Sequence, residues 1–367
     1  MRKVAVASYA TSNFVRNINS SIFELACQPC LDILKDSRLG RDEVDAVLFS
    51  SCSPEQYSSA IISEMLGIKP KIAYRMDNLC NSGTNTIVSG MSYIAAGLCD
   101  SVLVVGAEKA DSKANRLEWD ITRGSFISPV YWAALFAKAH MQKYGTTEEQ
   151  MAMVSVKNRK NAIKNPSALF RKPVTLEDVL SSRKIADPIK LLDCCSTCNG
   201  SSALLLLSEN KAKRLCENPV WIKGVGQRTN SASFSKTAYD LSSISAAKNA
   251  ARDAFKMARL KPKDMDIAEV HDAFSILEIL AYEDLEFVDK GEGGKFVEQD
   301  HLSINPRGGI LGCGHPVGAT GVAQTAEIVK QLTGNAGQRQ IKPCNNGLVH
   351  NLAAAGTSAT IIILGVN

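Results

Sequence analysis

The sequence predicts an α/β fold made of two similar halves, with a mostly helical segment inserted into the first. Three observations carry that expectation. Helix-like and strand-like stretches alternate along most of the 367 residues, which implies parallel sheets with helices on their faces. A helix-then-strand pattern recurs at a constant offset of 221 positions, because Arg38-Leu39 and Asp45-Ala46 match Arg259-Leu260 and Asp266-Ile267. Between the two copies, over 113–190, strand patterning gives way to helical patterning broken by Pro166, Pro173 and Pro188.

The chain opens with the short apolar run Val4-Ala-Val-Ala, which turns polar at Ser12 and Asn13 and reads as a first strand. Helical spacing follows over 21–36, and 44–51 is short, apolar and β-branched, a buried strand. At the same offset Ala26 meets Ala247, Asp32 meets Asp253 and Lys35 meets Lys256, so the repeat keeps register through the helix as well. A helix rich in small residues spans 80–97 and leads into Ser101-Val-Leu-Val-Val-Gly, whose unbroken apolar run marks a strand buried on both faces. Two helices are expected in the insert, over 130–145 and 147–165. Each half then closes with a similar strand, Ser201-Ser-Ala-Leu-Leu-Leu-Leu in the first and Thr357-Ser-Ala-Thr-Ile-Ile-Ile in the second. The charge-rich stretch 289–295 is expected to be a solvated turn.

Composition narrows the function. The net charge of +5, from 42 Lys+Arg against 37 Asp+Glu, suits a small anionic ligand and is too mild for a nucleic-acid footprint. No apolar run is long enough for a signal sequence or a membrane span. Eleven cysteines without a secretory signal read as reduced thiols of a cytoplasmic protein.

Four residues stand out as carriers of chemistry. Cys80 precedes Asn81-Ser82-Gly83 at the start of a helix, where the positive helix end favours a thiolate. His315 lies in the glycine-dense stretch 304–321, just ahead of an amphipathic helix expected over 322–332. His271, in His271-Asp-Ala-Phe, follows the repeated strand of the second half, at the carboxyl end where open α/β sheets bind ligands. His350 falls in a small-residue loop, 347–356, before the last strand. Two Cys-x-x-Cys pairs, Cys27/Cys30 and Cys195/Cys198, lie too far apart in sequence to argue for a metal centre, and no metal site is expected.

Taken together, Cys80-x-Ser82-Gly83, His271-Asp-Ala-Phe, Gly314-His315-Pro316-x-Gly318-Ala-Thr-Gly321 and the glycine-ended loop at 347–356 resemble the thiolase family over nearly the whole chain. Tyr144-Gly-Thr-Thr-Glu-Glu-Gln, Asn161-Ala-Ile-Lys-Asn-Pro166 and Leu176-Glu-Asp-Val-Leu resemble the loop domain of its sterol-carrier-protein and archaeal branch, that of acetoacetyl-CoA thiolase.

The resemblance implies a thiolase fold, two βαβαβαββ halves in five layers, αβαβα, with the insert as a loop domain. The implied units are 1–112 with 191–218, then 113–190, then 219–367. It implies Cys80 as the acyl-accepting nucleophile, His315 as its base and His271 as a hydrogen-bond donor to the thioester oxygen. His350 takes the place of the family's second acid/base, with Cys313 and Cys344 as alternatives. The backbone amides of Cys80 and Leu352 are implied as an oxyanion hole. The implied activity is reversible condensation of two acetyl-CoA to acetoacetyl-CoA, without a required cofactor, since coenzyme A thioesters are the substrates. A homodimer or homotetramer is implied, and archaeal relatives suggest a zinc-binding OB-fold partner and a hydroxymethylglutaryl-CoA synthase. An aldolase, an acyltransferase with another acceptor, or a non-catalytic acyl-CoA-binding subunit are the alternatives on the same fold.

Overall fold

In the computed structural model, residues 2–110, 128–232, 240–299 and 302–366 are described. The first half runs β1 (Val4–Thr11), α1 (Ile22–Asp36), β2 (Ala46–Ser50), α2 (Ser58–Met65), β3 (Ile72–Met76), α3 (Ser82–Ala95) and β4 (Ser101–Glu108). The insert contributes α4 (Val130–Tyr144), α5 (Glu148–Ala162) and α6 (Leu176–Ser181), then the small hairpin β5 (Lys184–Ala186) and β6 (Ile189–Lys190). After β7 (Gly200–Ser208) and α7 (Glu209–Leu215), the second half runs β8 (Val220–Thr229), α8 (Ser245–Ala258), β9 (Ile267–Glu269), α9 (Ser275–Asp284) and α10 (Gly293–Phe296). It ends with β10 (Ser303–Ile304), α11 (Gly309–Cys313), α12 (Val317–Leu332), β11 (Asn346–Ala353) and β12 (Ser358–Gly365).

Among the described residues the large strands form one sheet, ordered β10-β9-β11-β12-β8-β1-β7-β4-β2-β3. Its halves join at a short antiparallel contact, Ala5 with Trp221 and Val6 with Val220. The alternation of helix and strand implied parallel sheets, and the pairing is mixed. Only the pairs within β3-β2-β4 and β10-β9-β11 are parallel. The closing strand of each half runs back antiparallel, β7 on β4 and β12 on β11, because no crossover helix stands between β11 and β12 and the long insert lets β7 return in either sense.

Strand residues alternate between two cores. Val102 and Val104 of β4 face inward, with Leu204 and Leu206 of β7, while Leu103 and Val105 face α1. The inner core also holds Ile87 and Ile94 of α3, Val322 and Ile328 of α12, and Ile362 and Leu364 of β12. Thus α3 and α12 lie between the two half-sheets, with α1 and α2 outside one and α8 and α9 outside the other, which gives the five layers. This position corrects the expected amphipathic helix at 322–332. The helix starts earlier, at Val317, and is buried all round apart from Lys330, as a helix with sheet on both sides must be.

The repeat has a structural cause. Arg38 and Arg259 both take the left-handed conformation after their helices, at φ 55° and 57°. Asp45 then accepts the backbone N–H of Asp100 and Ser101 at 2.8 and 3.2 Å, and Asp266 accepts those of Asn345 and Asn346 at 2.7 and 3.0 Å. Each aspartate therefore satisfies the exposed start of the strand two along in its own half.

The insert packs on the second half although it interrupts the first. Val130, Trp132, Phe136 and Met151 share a core with Ile276, Leu280 and Tyr282 of α9. The stretch 289–295 is not a free turn as expected, since Lys290 Nζ lies 2.7 Å from the buried Asp284 and Gly293 N–H donates to Glu283 at 2.9 Å. No helix among the described residues is long and apolar enough to cross a membrane.

Candidate active site

Cys80 lies two residues before α3 and is reached through Leu79, which is held at φ 50°. Ser82 closes this turn by accepting the N–H of Asn78 at 2.7 Å and donating to the carbonyl of Leu79 at 2.6 Å. His315 sits two residues before α12, the neighbour of α3 in the central layer.

The glycines of the motif allow those helices to meet. A Cβ on Gly83 would lie 2.9 Å from Val322 N, and one on Gly321 would lie 2.7 Å from Thr84 N. No side chain fits either place, so the backbones approach directly and carry Cys80 and His315 together. His315 Nε2 lies 3.1 Å from Cys80 Sγ, and its Nδ1 lies 2.8 Å from Thr320 Oγ1.

His271 comes from the other half-site wall. Its ring meets that of His315 edge to face, with centroids 5.6 Å apart, and its ligand atom and those of Cys80 and His315 all lie within 4.8 Å of one another. His350 Nδ1 accepts the backbone N–H of His271 at 3.4 Å. The loop placement expected for His350 is corrected. It sits within β11, paired opposite Ile361, because the strand runs on past its last pairing with β9 at Val349. His271 Nδ1 and His350 Nε2 are buried without hydrogen-bond partners among the described residues.

Burial dominates the electrostatics. It pushes the Cys80 thiol up to about 12, assisted by Glu108 and Asp77, while the residue's own backbone N–H works the other way. Burial likewise lowers His315 to about 4 and His350 to about 3, and holds His271 well below the usual imidazole range. The thiolate expected from the helix end is therefore corrected to a neutral thiol beside a neutral imidazole, since desolvation outweighs the helix dipole here.

Carboxylates behind the histidines hold the two walls in register. Asp272 accepts the N–H of Ile310 at 2.6 Å and of Leu311 at 3.1 Å, and the Asn158 amide at 2.7 Å. Glu269 accepts the N–H of Arg307 at 3.2 Å and its Nε at 3.4 Å. The segment before β7 laces the same loops: Cys195 N–H donates to Ala273 O at 2.9 Å, and Ser196 O accepts His315 N–H at 2.8 Å. Sequence reasoning missed Thr320, Asn158 and this lacing role of 195–196. The side-chain type of Thr320, one turn after His315, was the available signal.

The alternatives to His350 fall elsewhere. Cys313 is buried in a small core with Phe14 and Cys198, its sulfur against the Arg307 carbonyl at 3.0 Å. Cys344 precedes β11, six residues from His350, or about 20 Å along an extended strand. Leu352 lies two residues beyond His350 on β11, with its side chain in the outer core. All eleven cysteines are free, and Cys27/Cys30 lie in the α1 core, apart from Cys195/Cys198.

The thiolase N-terminal domain model matches residues 4–210 and the thiolase C-terminal domain-like model matches 226–366. The chain belongs to the thiolase family. Members of the family are acyltransferases that take coenzyme A thioesters as substrates and need no resident cofactor. The acetyl-CoA acetyltransferase of Methanothermobacter thermautotrophicus is 37% identical over 99% of both chains. Sterol carrier protein 2 of Bos taurus is 34% identical over 80% of this chain and 59% of its own. A solved structure described as an Ltp2-ChsH2(DUF35) aldolase superposes with a TM-score of 0.87 at 28% identity, covering 99% of this thiolase and 98% of that chain.

Proposed function

We propose that this thiolase is an acetyl-CoA C-acetyltransferase that joins two acetyl-CoA into acetoacetyl-CoA and free coenzyme A, reversibly. The observation that carries the reading is the 3.1 Å approach of His315 Nε2 to Cys80 Sγ, with Nδ1 turned to Thr320. A neutral thiol attacks poorly, so His315 takes its proton as the sulfur attacks the first thioester and returns it to the departing coenzyme A sulfur. The amides of Cys80 and Leu352 hold the oxygen of the tetrahedral intermediate.

The second acetyl-CoA then places its carbonyl oxygen at His271. His350 Nε2 takes a methyl proton, and the resulting enolate carbon attacks acetyl-Cys80. Collapse of that adduct expels the Cys80 thiolate, which recovers the proton from His350. The bond from His271 N–H to His350 Nδ1 favours hydrogen on Nε2. Acting as a base at Nε2 requires the other tautomer, at the cost of that one long bond, about 1 kcal/mol.

Incubation with acetyl-CoA labelled in the acetyl group, followed by peptide mapping, should place label on Cys80 and remove it in Cys80→Ala. Label at no site in the wild type, or undiminished label in the variant, overturns the covalent step.

A second reading, cleavage or transfer with another acyl partner, is favoured by the aldolase likeness at 28% identity. Product analysis with acetyl-CoA alone separates the two, since only the first reading yields acetoacetyl-CoA. The retained Cys80 and histidines weigh against a non-catalytic acyl-CoA-binding subunit, and alkylation of Cys80 tests that point. The same likeness, named with a DUF35 protein, supports a partner protein, and the archaeal resemblance suggests a small zinc-binding OB-fold protein and a hydroxymethylglutaryl-CoA synthase. Co-purification of the two from the native source checks this, and sedimentation checks the expected homodimer or homotetramer. The free cysteines fit a cytoplasmic setting.

A further inference from the structure

We propose that Cys80, His271 and His315 also form a reversible site for one soft divalent cation, zinc foremost, and that occupancy blocks the nucleophile. The proposal deepens the reading above only in its second part, the block.

The donor set comes first. One thiol sulfur and two imidazole nitrogens lie within 4.8 Å of one another. Tetrahedral zinc at about 2.0–2.3 Å from its ligands wants donors roughly 3.5 Å apart. The pair His315 Nε2 and Cys80 Sγ already stands at 3.1 Å, so His271 closes by about an ångström. Sulfur with two nitrogens selects zinc, cobalt or copper over magnesium and calcium, which prefer oxygen.

The His315 ring is placed for coordination. Thr320 Oγ1 lies 2.8 Å from His315 Nδ1 and holds the ring with Nε2 toward the sulfur, the outer-shell arrangement that orients metal-bound histidines. An independent observation points to a missing ligand: His271 Nδ1 and His350 Nε2 are buried nitrogens without partners among the described residues. Reorientation of His271 toward an ion gives one of these nitrogens a partner. Cys80 is partly exposed, which gives the ion a way in.

The step balances without a redox partner. The Cys80 S–H bond breaks, its proton goes to solvent, and a sulfur–metal bond forms, so one proton is released per ion and binding tightens as pH rises. Three protein ligands leave a fourth position for water. The same sulfur cannot hold both an ion and an acetyl group, so metal and acylation exclude one another.

Cobalt(II) reports the site directly. Metal-free full-length protein titrated with cobalt(II) should show thiolate-to-cobalt absorption that saturates at one equivalent and is displaced by zinc. Prior alkylation of Cys80 with iodoacetamide should abolish the band, and His271→Ala should weaken binding at least about ten-fold. Absence of the band at micromolar protein and cobalt, or a band unchanged by alkylation, overturns the site. Acetyl labelling of Cys80 in metal-free buffer tests the catalytic reading separately, and labelling that proceeds at full rate with zinc bound overturns the block.

Discussion

Thr320 Oγ1 lies 2.8 Å from His315 Nδ1, one turn into the helix that His315 precedes. This bond holds the ring with Nε2 toward Cys80.

Thr320→Val keeps the shape and removes the hydroxyl. Acetylation of Cys80 should slow by about 10–100-fold, while His315→Ala should cost about 10²–10⁴-fold. Rapid-quench measurement of the acetyl-enzyme checks both, and equal rates in Thr320→Val and wild type would show that the ring is oriented by other means.

Acetylation should depend on pH through His315. With the imidazole at about 4 and the thiol at about 12, the reactive neutral pair persists across the whole middle range. The rate should be flat near neutrality and fall only as pH drops toward 4 and His315 protonates. A limb near the ordinary imidazole value of about 6.5 would contradict the buried neutral pair.

Stability should respond to His350 in a defined direction. Its folded value of about 3 lies below the ordinary 6.5, so between these the unfolded chain binds the extra proton. Its contribution is present above 6.5 and is lost as pH falls toward 3. Glu108 and Glu269, raised to about 7 by burial, act in the opposite sense, their carboxyls favouring the fold as pH falls below 7. Comparing wild type with His350→Gln isolates the histidine: the variant's denaturation midpoint should fall less between pH 6.5 and 4.

Asp272→Ala should strip acceptors from Ile310 N–H, Leu311 N–H and the Asn158 amide. Such buried orphans cost about 1–3 kcal/mol each, and partial relaxation brings the expected loss to about 2–4 kcal/mol by urea denaturation. Activity should fall as well, since the same carboxylate ties the His271 wall to the loop leading to His315.

Gly318→Ala puts a methyl group 2.6 Å from the Ser51 Cα and 2.8 Å from the Ser50 carbonyl oxygen. Backbone cannot yield as a flexible side chain does, so a loss of about 1–3 kcal/mol and slower acetylation are expected. Thermal melting and the acetyl-enzyme rate read the two effects.

Much of the fold was legible because its signals are local. Strand runs such as Val102-Leu-Val-Val and Leu204-Leu-Leu-Leu face a core on each side, and such runs show in sequence as unbroken apolar stretches. The offset of 221 was legible because Asp45 and Asp266 each cap a strand start that needs a carboxylate. Strand direction was not, since alternation of helix and strand is silent about which way β7 and β12 return.

For the site, the sequence by itself determined the cast: a cysteine ahead of a small-residue helix, a histidine among glycines, a histidine at a strand end and another in a small-residue loop. Only the tertiary structure decided their states and supports. The chemistry of 304–321 as a string could not reveal that Gly318 rests on Ser51 or that Asp272 reaches Ile310, because those contacts join residues distant in sequence. Nor could it reveal that Cys80 stays a thiol, because desolvation is set by everything around the sulfur and not by the helix it precedes.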